Sequence, residues 1–247
     1  MLAGRAFKPH ILGMLKLTPI LLAVLYALAM YHFSVWRTKR DLDSRSTELA
    51  DPRISALTKR MAQALDSQSE QDQLLLRLGT AVGKYWICKR TPQHAYEAME
   101  CIGGNGVMEN CIMPRLYREA PVNAIWEGSG NIQALDVRRA MSRSPEVVDA
   151  WMAELLSTAR QDPRQDALVE NLKQELAGAD EGSARRLVEL LALSIQGSLL
   201  LRGGNAAIAE AFLAGRCESP SHHFGTLPAG LDLNLLINRA NPHCYDS

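Results

Sequence analysis

The chain has 247 residues, of which 47% are hydrophobic and 22% charged. That is enough apolar material for a buried core in one large domain or two smaller ones, and it excludes a low-complexity chain. Its 27 basic and 27 acidic residues cancel overall but not locally: residues 1–144 hold 19 Lys and Arg against 13 Asp and Glu, net +6, and residues 145–247 hold 8 against 14, net −6.

Five cysteines, Cys88, Cys101, Cys111, Cys217 and Cys244, are odd in number, and none of them forms a CxxC pair. No signal-peptide pattern precedes them, so they read as reduced thiols of an intracellular protein, cytoplasmic or mitochondrial.

The first element in chain order is Leu17–Trp36, LTPILLAVLYALAMYHFSVW, 20 residues free of Asp, Glu, Lys and Arg and flanked by Lys16, Arg37, Lys39 and Arg40. It is either a membrane anchor with the basic cluster on the cytoplasmic side, or a helix buried on every face of a bundle. Thr18, Pro19, His32 and Ser34 dilute the run and favour the buried helix. A polar stretch follows. From Ile54 to Ile102, Leu57, Met61, Leu65, Leu74, Leu75, Leu78, Val82, Trp86 and Ile87 recur at helical spacing, giving two helices broken near DSQSEQDQ. Gly103-Gly104-Asn105-Gly106 stops the second helix, because the left-handed conformation used there costs glycine nothing. After a connection with Pro114 and Pro121, a further helix starts near Ile132 and ends at Ser144-Pro145. Amphipathic stretches at residues 147–158, 167–176, 184–201 and 206–214 then form a smaller helical extension, and the last 30 residues are loop-rich. The expectation is an all-α chain with a helical bundle over 1–144 and an appended extension over 145–247.

Between Trp126 and this helix stands Glu127-Gly128-Ser129-Gly130-Asn131. Ser129 or Asn131 suits the N-cap, and the unpaired N–H groups of the first turn, with the helix dipole, favour an anion such as pyrophosphate. Simple capping is the commoner use of such a sequence. Glu127 is either a solvated loop carboxylate or a base beside an apolar wall of Ile125 and Trp126, where desolvation would suit it to take a weakly acidic C–H proton. No strand precedes Gly104-Asn105-Gly106, and Glu109 stands where a dinucleotide fingerprint needs its third glycine. Cys217, His222, His223, His243 and Cys244 lack zinc-ligand spacing, so no metal site is expected.

The block AMECIGGNGVMENCIMPRLYREAPVNAIWEGSGNIQALDVRRAM, Ala98–Met141, resembles the C-terminal α-helical domain of the acyl-CoA dehydrogenase family. Trp126-Glu127 followed by Gly-Ser-Gly-Asn-Ile, together with PRLYREAPVN, is most similar to the AidB-like branch of alkylation-response flavoproteins. The resemblance covers residues 84–141 and, less closely, the helices behind them. It implies a homo-oligomeric flavoprotein that uses FAD to desaturate an acyl-CoA thioester. Glu127 would then remove the α-proton and the backbone at Gly128 would lie against the substrate. The implied FAD contacts are Ser129 and Asn131 at the helix start, with Glu100, Gly103 and Gly104 supplied by a neighbouring subunit. Family members carry an N-terminal helical domain and a β-domain ahead of this region, and the chain begins at what corresponds to the end of both, which suggests an inactive binding or oligomerisation module as the alternative. Gly4–Ile11, GRAFKPHI, resembles the family's Arg-x-Phe-Gly motif with Arg5 in the flavin-contacting place, but Lys8 replaces the glycine. The branch's C-terminal region is linked to DNA; the net charge of −6 here suits phosphate neutralisation poorly, although Arg185, Arg186, Arg202, Arg216 and Arg239 could share a face.

Overall fold

A computed structural model of the chain describes residues 52–67, 69–178, 180–218 and 224–240. Arg5, Leu17–Trp36, His222, His223, His243 and Cys244 lie outside them. Among the described residues all regular structure is helical, as the spacing predicts, and no helix is long and apolar enough to cross a membrane.

The first two helices are α1, Pro52–Asp66, and α2, Glu70–Glu100, broken in the predicted place. The break is capped: Ser69 Oγ accepts from the Asp72 amide at 3.1 Å, satisfying one of the donors that open α2. Two short 3-10 turns, Gly103–Val107 and Ala120–Ala124, flank α3, Met113–Glu119. There follow α4, Gly130–Arg143, and α5, Glu146–Leu156. Next come α6, Pro163–Gly178, and α7, Ala184–Arg202. The described chain closes with α8, Ala206–Leu213, a π-helical turn at Ala214–Glu218, and α9, Leu233–Ala240. The last helix falls in a stretch that reads as loop-rich; Asp232 caps it by accepting from the Leu235 amide at 3.0 Å.

Helices α2 and α7 form the spine. The first packs against α1, α3, α4, α5 and α7; the second packs against α1, α2, α4, α5, α6 and α8. This explains why α2 shows no clean polar face from Leu75 to Cys88: neighbours surround it, and Val82 to Cys88 are buried without interruption. One apolar cluster runs through Leu57, Leu78, Val82, Val137, Trp151, Leu172, Leu187 and Ile195, and so includes residues on both sides of Ser144. Each large side chain fully buried in it contributes about 1.5–3 kcal/mol.

A charged junction sits at the edge of this core. Arg60 of α1 grips Glu154 of α5 with Nε at 2.7 Å and Nη2 at 3.0 Å, and its Nη2 also reaches Asp72 of α2 at 2.6 Å. Arg202 of α7 pairs with the same Glu154. Burial alone would raise the Glu154 carboxyl, but hydrogen bonds from Arg60 and Arg202 outweigh it and hold the group below the ordinary range. Four helices are thereby fixed to one carboxylate pair. A second junction ties the start of α6 to α8, with Arg164 bonded to Asp162 at 2.7 Å and to Glu210 at 2.5 Å.

A candidate acid-base turn on the helical bundle

Glu127 lies in the connection from the second 3-10 turn to α4. The chain tightens there because the Ile125 and Trp126 amides both bond to Val122 O, at 3.0 and 3.1 Å. Glu127 itself takes φ 61° and Gly128 takes φ 116°. The left-handed region is unfavourable for a residue with a Cβ, so the turn needs outside support. Gly128 is required twice over: its φ excludes other side chains, and a Cβ there would stand 2.9 Å from Ile132 Cγ2.

Support comes from both sides. From α4, Gln133 Nε2 donates to Gly128 O at 2.6 Å. From α2, Lys84 Nζ donates to Asn123 O at 3.1 Å, lies 3.8 Å from Glu127 Oε2, and sits 5.8 Å from the Trp126 ring centroid. Lys84 is 5% exposed. The Glu127 side chain, by contrast, is 38% exposed, and among the described residues Ile125 and Trp126 are themselves open to solvent. The Cys88 thiol, one helical turn beyond Lys84, senses both charges: burial pushes it up, Lys84 opposes, and Glu127 adds to the rise.

Ser129 occupies the N-cap position with extended backbone, and its hydroxyl makes no capping bond. The N–H groups that open α4 therefore keep their capacity for an external acceptor. Asn131 is exposed in the first turn. Gln133 Oε1 is buried with no hydrogen-bond partner among the described residues.

The remaining predicted residues lie at the far end of α2. Glu100 is its last residue and exposed, and it accepts from the Tyr96 hydroxyl, which raises that phenol. Gly103 ends the helix at φ 68°, as the glycine cluster predicts. Gly104 has no positive φ, and a Cβ added to it would meet nothing within 4 Å. Among the described residues neither backbone nor packing demands a glycine there. Lys84 and Glu100 are separated along α2 by roughly 24 Å at the helical rise of 1.5 Å per residue. One chain thus presents two separate surfaces, Glu127 to Asn131 and Glu100 to Gly104. Among the described residues no group of three or more His, Cys, Asp or Glu could hold a metal, and Cys88, Cys101, Cys111 and Cys217 form no disulfide with one another.

The family model for the acyl-CoA dehydrogenase C-terminal domain matches residues 52–142, a span that contains every residue of both surfaces. Residues 52–142 are similar to an acyl-CoA dehydrogenase C-terminal domain. Across 159 residues the chain is 38% identical to the AidB protein of Escherichia coli (strain K12), a match covering 64% of this chain and 29% of that protein. It is 31% identical over 129 residues to acyl-CoA dehydrogenase family member 11 of Caenorhabditis elegans, covering 52% of this chain and 21% of that one. The chain therefore spans less than a third of the length of these curated relatives. The crystal structure of Caenorhabditis elegans ACDH-11 in complex with C11-CoA superposes with a TM-score of 0.59 at 26% identity, covering 68% of this chain and 34% of that one. The matched span contains Glu127 and its turn. Lys84, Asn123 and Gln133, which hold the turn, escape a reading of motifs. The one signal for Lys84 is that it is the only charge in the seven-residue run VGKYWIC.

Proposed function

We propose that this chain forms the helical part of an FAD-dependent acyl-CoA dehydrogenase-like site of the AidB-like branch, with Glu127 as the base. The observation that carries the reading is the Glu127 turn: a carboxylate in a left-handed conformation, open to solvent and followed by a helix start whose cap hydroxyl is unused. In an acyl-CoA thioester the α-proton is acidified by the carbonyl, and an accessible carboxylate takes it. Gly128, bare of a side chain, lets the thioester approach the backbone.

The residues present fit a dinucleotide cofactor. The first N–H groups of α4, the Ser129 hydroxyl and Asn131 offer donors to a phosphate. Gly104 is small where the chain's own packing does not require it, which leaves room for a group from outside. FAD, when bound, supplies the acceptor for the β-hydride. Since the two surfaces are separated along α2, Glu100, Gly103 and Gly104 would serve a cofactor held mainly by a second copy, in a homo-oligomer. Caenorhabditis elegans ACDH-11 was crystallised in complex with C11-CoA, and that ligand supports an acyl-CoA as the substrate class here.

The test is the visible spectrum of the purified chain after incubation with FAD, followed by acyl-CoA titration of the wild type and of Glu127→Gln. The expected result is stoichiometric flavin, bleached by acyl-CoA in the wild type and not in the variant. A chain that retains no flavin overturns the cofactor reading in favour of an inactive helical module, and bleaching by Glu127→Gln overturns the base.

A further inference from the structure

Among the described residues Lys84 is the only buried lysine. An ammonium removed from water is strongly unfavourable unless oxygens or π-faces compensate it. Those that the described residues bring to Lys84 Nζ belong to one short stretch, Asn123–Glu127: the Asn123 carbonyl, the Glu127 carboxylate and the Trp126 ring. The lysine stem is anchored in the part of α2 where every residue from Val82 to Cys88 is buried, so the grip comes from a rigid element. The stretch it grips ends in a residue at φ 61°, which has little tendency to hold that shape unaided.

We propose that Lys84 is a positioning residue for the Glu127 turn: its ammonium, fixed in α2, joins the Asn123 carbonyl to the Glu127 carboxylate and sets the direction from which that carboxylate meets a thioester substrate. The inference rests on the reading of Glu127 as the base. Lys84 takes no proton in the reaction. It fixes the orientation of the group that does, while Gln133 fixes the Gly128 carbonyl on the other side. Removing the Glu127 charge takes away one of the groups that Lys84 joins and leaves its bond to the Asn123 carbonyl, whereas removing the ammonium takes away both.

The test is a double-mutant cycle read by amide hydrogen exchange over Trp126–Ser129, with α7 as internal control, in wild type, Lys84→Met, Glu127→Gln and the double variant. Methionine keeps most of the stem volume and leaves no buried charge. Lys84→Met is expected to exchange about five-fold faster over the turn and Glu127→Gln by a smaller factor, with α7 unchanged, and the double variant no faster than Lys84→Met alone. Independent, multiplying effects, or an unchanged turn in Lys84→Met, would overturn the positioning role. Should Lys84→Met fail to fold, Glu127→Asp at the exposed site keeps the test: a carboxylate shortened by one methylene loses contact at 3.8 Å, and unchanged exchange there overturns the proposal. The two readings fail separately. Coupled exchange with acyl-CoA still turned over by Glu127→Gln sinks the base, and with it the catalytic meaning of Lys84. Uncoupled exchange with an inactive Glu127→Gln sinks the positioning alone.

Discussion

Replacing Gly104 and Gly106 with alanine, one at a time, should produce opposite effects although the two residues share a single turn. A Cβ on Gly106 would stand 2.3 Å from Met99 O and 3.1 Å from Met99 Cγ. Carbon and oxygen rest at about 3.3 Å or more, so the backbone must part by roughly 1 Å. Met99 O already accepts from the Ile102 amide at 3.2 Å, and the displacement strains that bond as well. Overpacking plus a weakened hydrogen bond costs about 2–3 kcal/mol, a drop of roughly 5–10 °C in unfolding midpoint for a domain of this size. Gly104 meets nothing within 4 Å, so alanine there leaves stability unchanged or raises it by up to about 1 kcal/mol through the unfolded chain. If Gly104 is small to admit a cofactor, Gly104→Ala should weaken FAD binding by about tenfold, or roughly 1.4 kcal/mol. Thermal unfolding by circular dichroism and flavin titration by absorbance separate the two effects. A Gly106→Ala protein with the wild-type midpoint refutes the packing argument, and a Gly104→Ala protein with wild-type flavin affinity refutes the reserved space.

Arg60→Met removes two hydrogen bonds from the buried Glu154 and leaves it Arg202 alone; the expected loss is about 3 kcal/mol in urea unfolding, of which Glu154→Leu in the same chain should restore at least half. Asp72, held down to about 2 by hydrogen bonds from Ser67 and Arg60, and Glu154, also held low, have folded values below their unfolded ones. Their contribution is therefore complete above about pH 5 and is lost as pH falls through 4 toward 2, so urea midpoints should drop across that window, and less steeply in Asp72→Asn. Glu127→Gly and Glu127→Gln both remove the carboxylate, but only glycine relieves φ 61°; the glycine variant should be the more stable by about 1 kcal/mol, and equal midpoints would argue against backbone strain at this position.

The helices were legible where apolar spacing is regular. Leu57 and Met61 mark α1, Ser144-Pro145 marks the bend into α5, and Gly103 marks the end of α2 through a conformation that only glycine adopts freely. The helix Leu233–Ala240 was not, because Pro and Gly residues dominate the segment before it, although Asp232 and the apolar residues Leu233, Leu235, Leu236 and Ile237 carry its signal. Of the candidate site, Glu127 and its glycines were singled out through the family resemblance, since the local pattern alone fits a solvated loop carboxylate and simple capping equally well. Lys84 was not, since lysine in a helix ordinarily points to water and burial is a property of neighbours far along the chain. Gly106 reads as one more helix breaker, while its role is to let the turn lie against the Met99 carbonyl. Sequence spacing carries periodicity; it does not carry the close approach of segments that meet only after folding.

The apolar cluster that crosses Ser144 has a further consequence. Trp151, Leu172 and Ile195 pack into the same cluster as Leu78 and Val82 of α2, the helix that holds Lys84 and through it the Glu127 turn. Regions that share a core melt as one cooperative unit, so their free energies are linked. A small molecule or protein that engages α6 or α7 and recognises only the folded form would protect the unit that carries the Glu127 turn from global unfolding by mass action, without touching the turn. Loss of Trp151 from the cluster would lower the stability of the same unit. The later helices thereby act as a ballast for the helices that carry the Glu127 turn, and variation in them can tune the stability of that scaffold while every residue of the turn stays the same.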